Sequence, residues 1–210
     1  MTRLWIGVAL TLLVGSLLPG CRRADRWNAE WEAWFEESQP SEAIMDTLGI
    51  APGMVLAEVG AGSGRLAVKM ARRVGAQGHV YANDIDPTAL EFMRRRVKKQ
   101  SIHNMTVVGG RVADPRLPAG ALDLVYLVNT YEHLAKPVPL MTRIIPALKP
   151  EGVLVIIAAD PEKTGDRQEL VVPRKKVVDE AEAAGFELVR VSTFLRDDTI
   201  YFFRPRPLDR

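Results

Sequence analysis

Val55-Leu56-Ala57-Glu58-Val59-Gly60-Ala61-Gly62-Ser63-Gly64-Arg65 is the stretch on which the fold turns. Its first half, reached through a Pro52-Gly53 turn, is an apolar run over 54–59 that reads as a buried strand ending on the carboxylate Glu58. Glycines at alternate positions then let the chain bend tightly, with positive φ, before a helix over 65–74. Strand, glycine turn and helix together open a parallel α/β unit, and ligands of such sheets gather at the carboxyl end of the first strand.

The same alternation continues outward. A strand is expected over 79–84, and a helix over 87–99 with Asp86 as cap and Pro87 at its first position. Further strands are expected over 105–108, 122–128 and 152–158, with helices over 140–148 and 173–184. The last two strand-like runs, 186–193 and 199–204, are separated by about five residues. That is too few for a parallel crossover, so they should pair antiparallel. The expected fold is α/β: a Rossmann-like, seven-stranded, mostly parallel sheet with a C-terminal antiparallel hairpin and helices on both faces.

Composition narrows the classes further. The 210 residues, 47% hydrophobic and 26% charged, suit one domain with a sizeable core. Twenty-eight Lys and Arg against 26 Asp and Glu leave a net charge of +2, which gives no general field for a nucleic-acid partner. One cysteine, Cys21, excludes an internal disulfide, a thiolate zinc cluster and a C-x-x-C pair. His79, His103 and His133 show no ligand spacing, so no metal site is expected.

Cys21 closes the one long apolar run of the chain, Leu4 to Leu18, which follows the basic Arg3. As a helix its roughly fifteen residues reach about 22 Å, short of a hydrocarbon core of roughly 30 Å. The segment therefore reads as an export signal. It resembles a bacterial lipoprotein signal, with Leu18-Pro19-Gly20-Cys21 in the place of the lipobox and Pro19 departing from the pattern. That resemblance implies cleavage before Cys21 and lipid attachment to its thiol, hence an exported protein anchored to a membrane of the cell envelope. An uncleaved helix in the inner membrane is the alternative. The chain then divides into a signal at 1–20, an aromatic arm at 21–40 and one domain at 41–210. Trp27, Trp31, Trp34 and Phe35 share one face of a helix expected over 22–39. That face can pack on the domain, rest on a membrane interface or cover a ligand cleft. A second helix is expected over 41–48 with Ser41 as cap.

A dinucleotide fingerprint would need glycine at 65, where this chain has arginine. Glu58-x-Gly60-x-Gly62-x-Gly64 instead resembles the first motif of class I S-adenosylmethionine-dependent methyltransferases, and the order of elements from Ser41 to Pro205 agrees with them. The resemblance implies S-adenosyl-L-methionine as cofactor, with Glu58, Gly60, Gly62, Ser63 and Gly64 around it. It also makes Asp84 the ribose ligand and Ile85 the apolar contact of the adenine. A carboxylate at Asp84 can accept both ribose hydroxyls. The acidic residue that many members carry after the third strand is missing from Val108-Gly109-Gly110-Arg111-Val112, so backbone around Arg111 and Val112 is left to read the base. Asn129, which opens Asn129-Thr130-Tyr131-Glu132-His133, is a further cofactor neighbour by the same resemblance.

Tyr131 and His133 are the acceptor-side candidates, His133 because imidazole exchanges protons near neutrality. The implied function is methyl transfer to a small-molecule or lipid-like acceptor, with determinants in the aromatic arm and in the loop over 160–173. A different class stays open: an exported binding or scaffold protein that keeps the fold without the chemistry. Neither reading specifies an oligomeric state.

Overall fold

The computed structural model describes residues 27–165 and 171–207. The apolar run, Cys21 and the middle of the 160–173 loop lie outside the described residues. Among those described, no helix is long and apolar enough to cross a membrane.

The elements follow in the order α1 (Ala29–Ser38), α2 (Ser41–Thr47), β1 (Val55–Val59), α3 (Arg65–Val74), β2 (His79–Asp84), α4 (Pro87–Lys99), β3 (Met105–Gly109) and β4 (Leu122–Val128). After a 3-10 turn at Tyr131–His133 come α5 (Pro137–Ile144), β5 (Leu148–Ala159), the short α6 (Pro161–Thr164), α7 (Arg174–Ala183), β6 (Phe186–Ser192) and β7 (Asp198–Pro205). The seven strands form one sheet in the order β3-β2-β1-β4-β5-β7-β6. β7 runs antiparallel to both β5 and β6, so it inserts between them and the other six strands share one direction.

Side chains alternate across each strand, and β1 accordingly feeds two cores. Leu56 packs beneath α2, α3 and α4, while Ala57 and Val59 pack beneath α5 and α7. Asp86 caps α4 as expected, accepting from the Thr88 N–H at 2.9 Å with Pro87 following. Ser41 does not cap α2. Its hydroxyl donates to Glu36 Oε2 at 2.6 Å, and Pro40 occupies the cap position. The helix expected over 140–148 starts earlier, at Pro137, and passes into a 3-10 turn at Ile145–Ala147, where Pro146 cannot supply an α-helical N–H. β5 begins at Leu148 rather than 152, with a register shift against β4 between Leu122 and Leu124.

The strand order changes direction between β1 and β4, whose carboxyl ends meet at Gly60 and Asn129. An open sheet leaves its ligand crevice at such a point. The turns after β1, β2 and β4 surround it, and α1 closes it from above.

Candidate functional site

A cleft of about 600 Å³ opens at this switch point. Its floor is the glycine turn. Gly60, Gly62 and Gly64 all have positive φ, of 76°, 55° and 70°. At Gly60 a side chain is excluded twice over, because a Cβ would also lie 2.2 Å from Thr130 Cγ2. That threonine holds the turn to the β4 loop by donating to the Gly60 carbonyl at 3.2 Å. Asp84, at the end of β2, accepts the Gly62 N–H at 2.8 Å and the Asp86 N–H at 2.9 Å. Two backbone bonds thus hold its carboxylate at the cleft wall.

Beneath the turn Glu58 is buried, with the Tyr126 hydroxyl donating to Oε2 at 3.3 Å. Burial pushes its carboxyl up to about 8, against the opposing pull of the Arg65 guanidinium and the Tyr126 bond. Ser63 also lines the cleft, and its Oγ is buried without a hydrogen-bond partner. A buried hydroxyl of that kind calls for a partner, which a water or a ligand in the cleft can supply. Ile85 and Val112 are exposed apolar residues of the lining, at 57% and 47%. Asn83 ties down the loop after β3 by donating to the Val108 and Pro115 carbonyls at 3.3 and 2.8 Å.

Of the residues predicted for cofactor contact, Glu58, Gly60, Gly62, Ser63, Asp84, Ile85, Arg111, Val112 and Asn129 all line this cleft. Gly64 does not line it; it shapes the turn from behind, as the left-handed residue that starts α3. His133 is exposed and lines the same cleft, as do Leu134 and Leu140.

Tyr131 is a correction. It is 3% exposed, packs in the core under α5 and α7, and donates its hydroxyl to Glu180 of α7. Burial and that carboxylate hold the phenol well above its usual range, so it neither reaches the cleft nor gives up a proton there. Between the two candidates, Glu132 has a buried Oε2 with no hydrogen-bond partner. Burial, with the nearby Asp198 charge adding to it, raises its carboxyl to about 7.

The arm from Trp27 onward belongs to the site. Trp27, Trp31 and Phe35 line the cleft, so this aromatic face both packs on the domain and borders the cleft. Trp34 points outward. Two partly buried ion pairs fasten the helix to its support: Glu32 with Arg96 at 2.5 Å, and Glu36 with Lys69 at 2.5 Å. Trp27 meets Phe92 of α4 edge-on at 5.2 Å between centroids.

Gln39, which sequence reasoning missed, ties the end of this arm into the site. Its Oε1 accepts from Arg65 Nη2 at 3.3 Å, while Nε2 donates to Asp198 Oδ2 at 2.9 Å and to Asn129 Oδ1 at 3.0 Å. A cation on one side and a carboxylate on the other dictate which way this amide faces. Asn129 must therefore turn its oxygen to Gln39, which leaves its NH₂ as the group available to the cleft. Asn129 is held at φ 48°, a left-handed conformation that asparagine tolerates better than most residues. No local signal marks Gln39, because its partners lie 26, 90 and 159 residues away in the chain.

This fold is the one that S-adenosylmethionine-dependent methyltransferases adopt. A SAM-dependent methyltransferase from Aquifex aeolicus aligns with a TM-score of 0.75 at 23% identity, covering 80% of this chain and 91% of that one. Geranyl diphosphate C-methyltransferase from Streptomyces coelicolor A3(2) aligns with a TM-score of 0.66 at 15% identity, covering 90% and 89%. In sequence, residues 56–152 match the family model of a methyltransferase domain. Among characterised relatives, protein-L-isoaspartate O-methyltransferase of Ignicoccus hospitalis is 36% identical over 113 residues, which are 54% of this chain and 51% of that protein. Demethylmenaquinone methyltransferase of Listeria welshimeri is 24% identical over 113 residues, 54% and 48% of the two chains. The chain thus spans about half the length of these relatives.

Proposed function

We propose that the protein is an S-adenosylmethionine-dependent methyltransferase acting on a small-molecule or lipid-like acceptor, held at a membrane by its N-terminal segment. The observation that carries the reading is the convergence of Asp84, buried Glu58 and the unpartnered Ser63 hydroxyl on one glycine turn at the switch point. These groups fit the cofactor. Asp84 keeps acceptor capacity beyond its two backbone donors and can receive ribose hydroxyls. Ile85 and Val112 offer apolar surface to a flat base, and Ser63 gains the bond it lacks. The Asn129 NH₂ donates to an oxygen on the ligand.

When bound, S-adenosylmethionine supplies an electrophilic methyl group together with its leaving group. The chain's task is then alignment, which can lower a barrier by about 7–11 kcal/mol. Trp31, Phe35, Leu134 and Leu140 give the acceptor side apolar walls that exclude water. Where the nucleophile carries a proton, His133 is the side chain on that side that can take it. The apolar walls favour an uncharged acceptor, and the lipid-like acceptor named for the demethylmenaquinone relative is of this kind.

Calorimetric titration of the full chain in neutral detergent with S-adenosylhomocysteine tests the cofactor. Micromolar binding that falls at least tenfold in Asp84→Ala is expected. Absence of binding at millimolar ligand rejects the proposal in favour of a scaffold role. For the anchor, Cys21→Ser should leave the precursor unprocessed in size, whereas normal processing would reject lipid attachment at Cys21.

A further inference from the structure

We propose that the outer face of α4 is a docking surface for an anionic phospholipid bilayer. This rests on the membrane-anchored reading above and adds to it the side of the domain that meets the membrane.

The near-neutral total charge hides a segregated patch. Along the second half of α4, Arg94, Arg95, Lys98 and Lys99 are all exposed, at the i, i+1, i+4, i+5 spacing of one helix face. Arg72 of α3 joins them, since its guanidinium donates to Gln100 at the end of α4 at 2.8 Å. Among the described residues, the one carboxylate paired within the patch is Glu91, 3.9 Å from Arg95. Arg94, Lys98 and Lys99 have no carboxylate partner among the described residues. Of the acids on α1, Glu32 is engaged by Arg96, and Glu36 by Arg65 and Lys69.

What covers this face follows from where the chain enters the domain. Trp27 packs on Phe92, in the middle of α4, two residues before the patch begins. Cys21, the end of the apolar run, is only six residues upstream. Six residues span at most about 20 Å, so a membrane that holds Cys21 lies within about that distance of Trp27, which packs on Phe92. From Phe92 to Lys99 the helix advances only about 10 Å. The tether itself, Arg22-Arg23-Ala24-Asp25-Arg26, is basic too. A short basic tether that enters beside a basic helix face brings both to the same surface, where anionic headgroups attract each cation. α7 lies over the opposite face of the sheet, so its lysines point away from this surface.

The experiment uses the full chain incorporated into lipid nanodiscs, either of phosphatidylcholine alone or with about a third phosphatidylglycerol. Lysine acylation is then read residue by residue by mass spectrometry. Lys98 and Lys99 should react at least threefold more slowly in the anionic discs at low salt, and the difference should vanish at about 0.5 M salt, where screening is nearly complete. Lys175 on α7 should react alike throughout. Equal reactivity of Lys98 and Lys99 in both discs overturns the proposal. So does equal protection in both, which would mean proximity without charge recognition. Protection by added single-stranded RNA in neutral discs, without protection by the anionic discs, would reassign the face to nucleic acid. A chain that fails to enter either disc removes the tether and overturns the proposal at its base. None of these outcomes depends on methyl transfer, so failure here and failure of the enzymatic reading stay distinct.

Discussion

Replacing Gln39 by leucine probes the joint between the arm and the site. Leucine keeps most of the side-chain volume, so the loss is of hydrogen bonds rather than of packing. Three bonds go: one to the Asp198 carboxylate at 2.9 Å, one to Asn129 at 3.0 Å, and one from Arg65 at 3.3 Å. The first is charge-assisted and buried, and bonds of that type are worth about 1.5–3 kcal/mol. Arg65 retains Ser41 at 3.2 Å and Glu36 at 3.4 Å, so its share is close to the neutral value of about 1 kcal/mol, as is that of Asn129. The sum is about 4 kcal/mol, or roughly 10 °C in melting temperature for a domain of this size. The loss should be smaller at pH 5 than at pH 8. Asp198 already sits above its usual range through burial, and without the Gln39 bond that lowers it the carboxyl takes up a proton more readily. Gln39→Glu makes a sharper test. It keeps the Arg65 contact, sets a carboxylate against Asp198 and draws the Asn129 NH₂ away from the cleft, so affinity for S-adenosylhomocysteine should fall at least tenfold. Thermal denaturation and calorimetry on the full chain measure both effects. A Gln39→Leu variant within about 1 kcal/mol of the parent, with unchanged ligand affinity, would refute the reasoning.

Four further substitutions address separate parts of the site. Glu58 titrates near 8 in the folded protein against about 4.5 when exposed, so the folded state holds its proton over that interval and stability falls as pH rises through it. The slope from this group approaches about 1.4 kcal/mol per pH unit. Glu58→Gln should flatten urea-denaturation stability between pH 6 and 8, and an unchanged slope would locate the titration elsewhere. In Gly60→Ala the new methyl meets Thr130 within van der Waals distance at φ 76°, and a loss of about 2–4 kcal/mol in stability is expected from strain and the displaced threonine. A melting temperature equal to the parent's would show the turn to be soft. Tyr131→Phe should retain ligand binding and turnover while costing about 1 kcal/mol for the Glu180 bond. His133→Ala should lower turnover with little change in cofactor affinity, and the reverse pattern in the two variants would restore Tyr131 to the acceptor side.

Local chemistry makes much of this protein legible in its residue pattern. The helices at Arg65–Val74 and Pro87–Lys99, and the strands at His79–Asp84 and Leu122–Val128, have the bounds expected from their patterns, because caps, glycines and apolar runs act within a few residues. The glycine spacing and the carboxylates at Glu58 and Asp84 locate the cleft for the same reason, since each belongs to a strand end and its adjoining turn. Boundaries go astray where a distant partner intervenes. Ser41 reads as a cap but is taken by Glu36 and Arg65. β5 starts four residues early because Leu148 finds a partner in Leu122.

Other features have no local determinant at all. Tyr131 and His133 look alike as loop candidates, yet a 3-10 turn advances about 120° per residue and aims the two side chains differently, one into the core and one to the rim. The aromatic stripe of α1 is visible as a period, but what it covers depends on the ion pairs with Arg96 and Lys69. The insertion of β7 between β5 and β6, the orientation of Gln39 and thereby of Asn129, and the grouping of α4's cations beside the chain's entry point all arise from contacts between segments far apart in sequence. Residue patterns record what each segment favours on its own, whereas close packing of those segments chooses among the partners that remain.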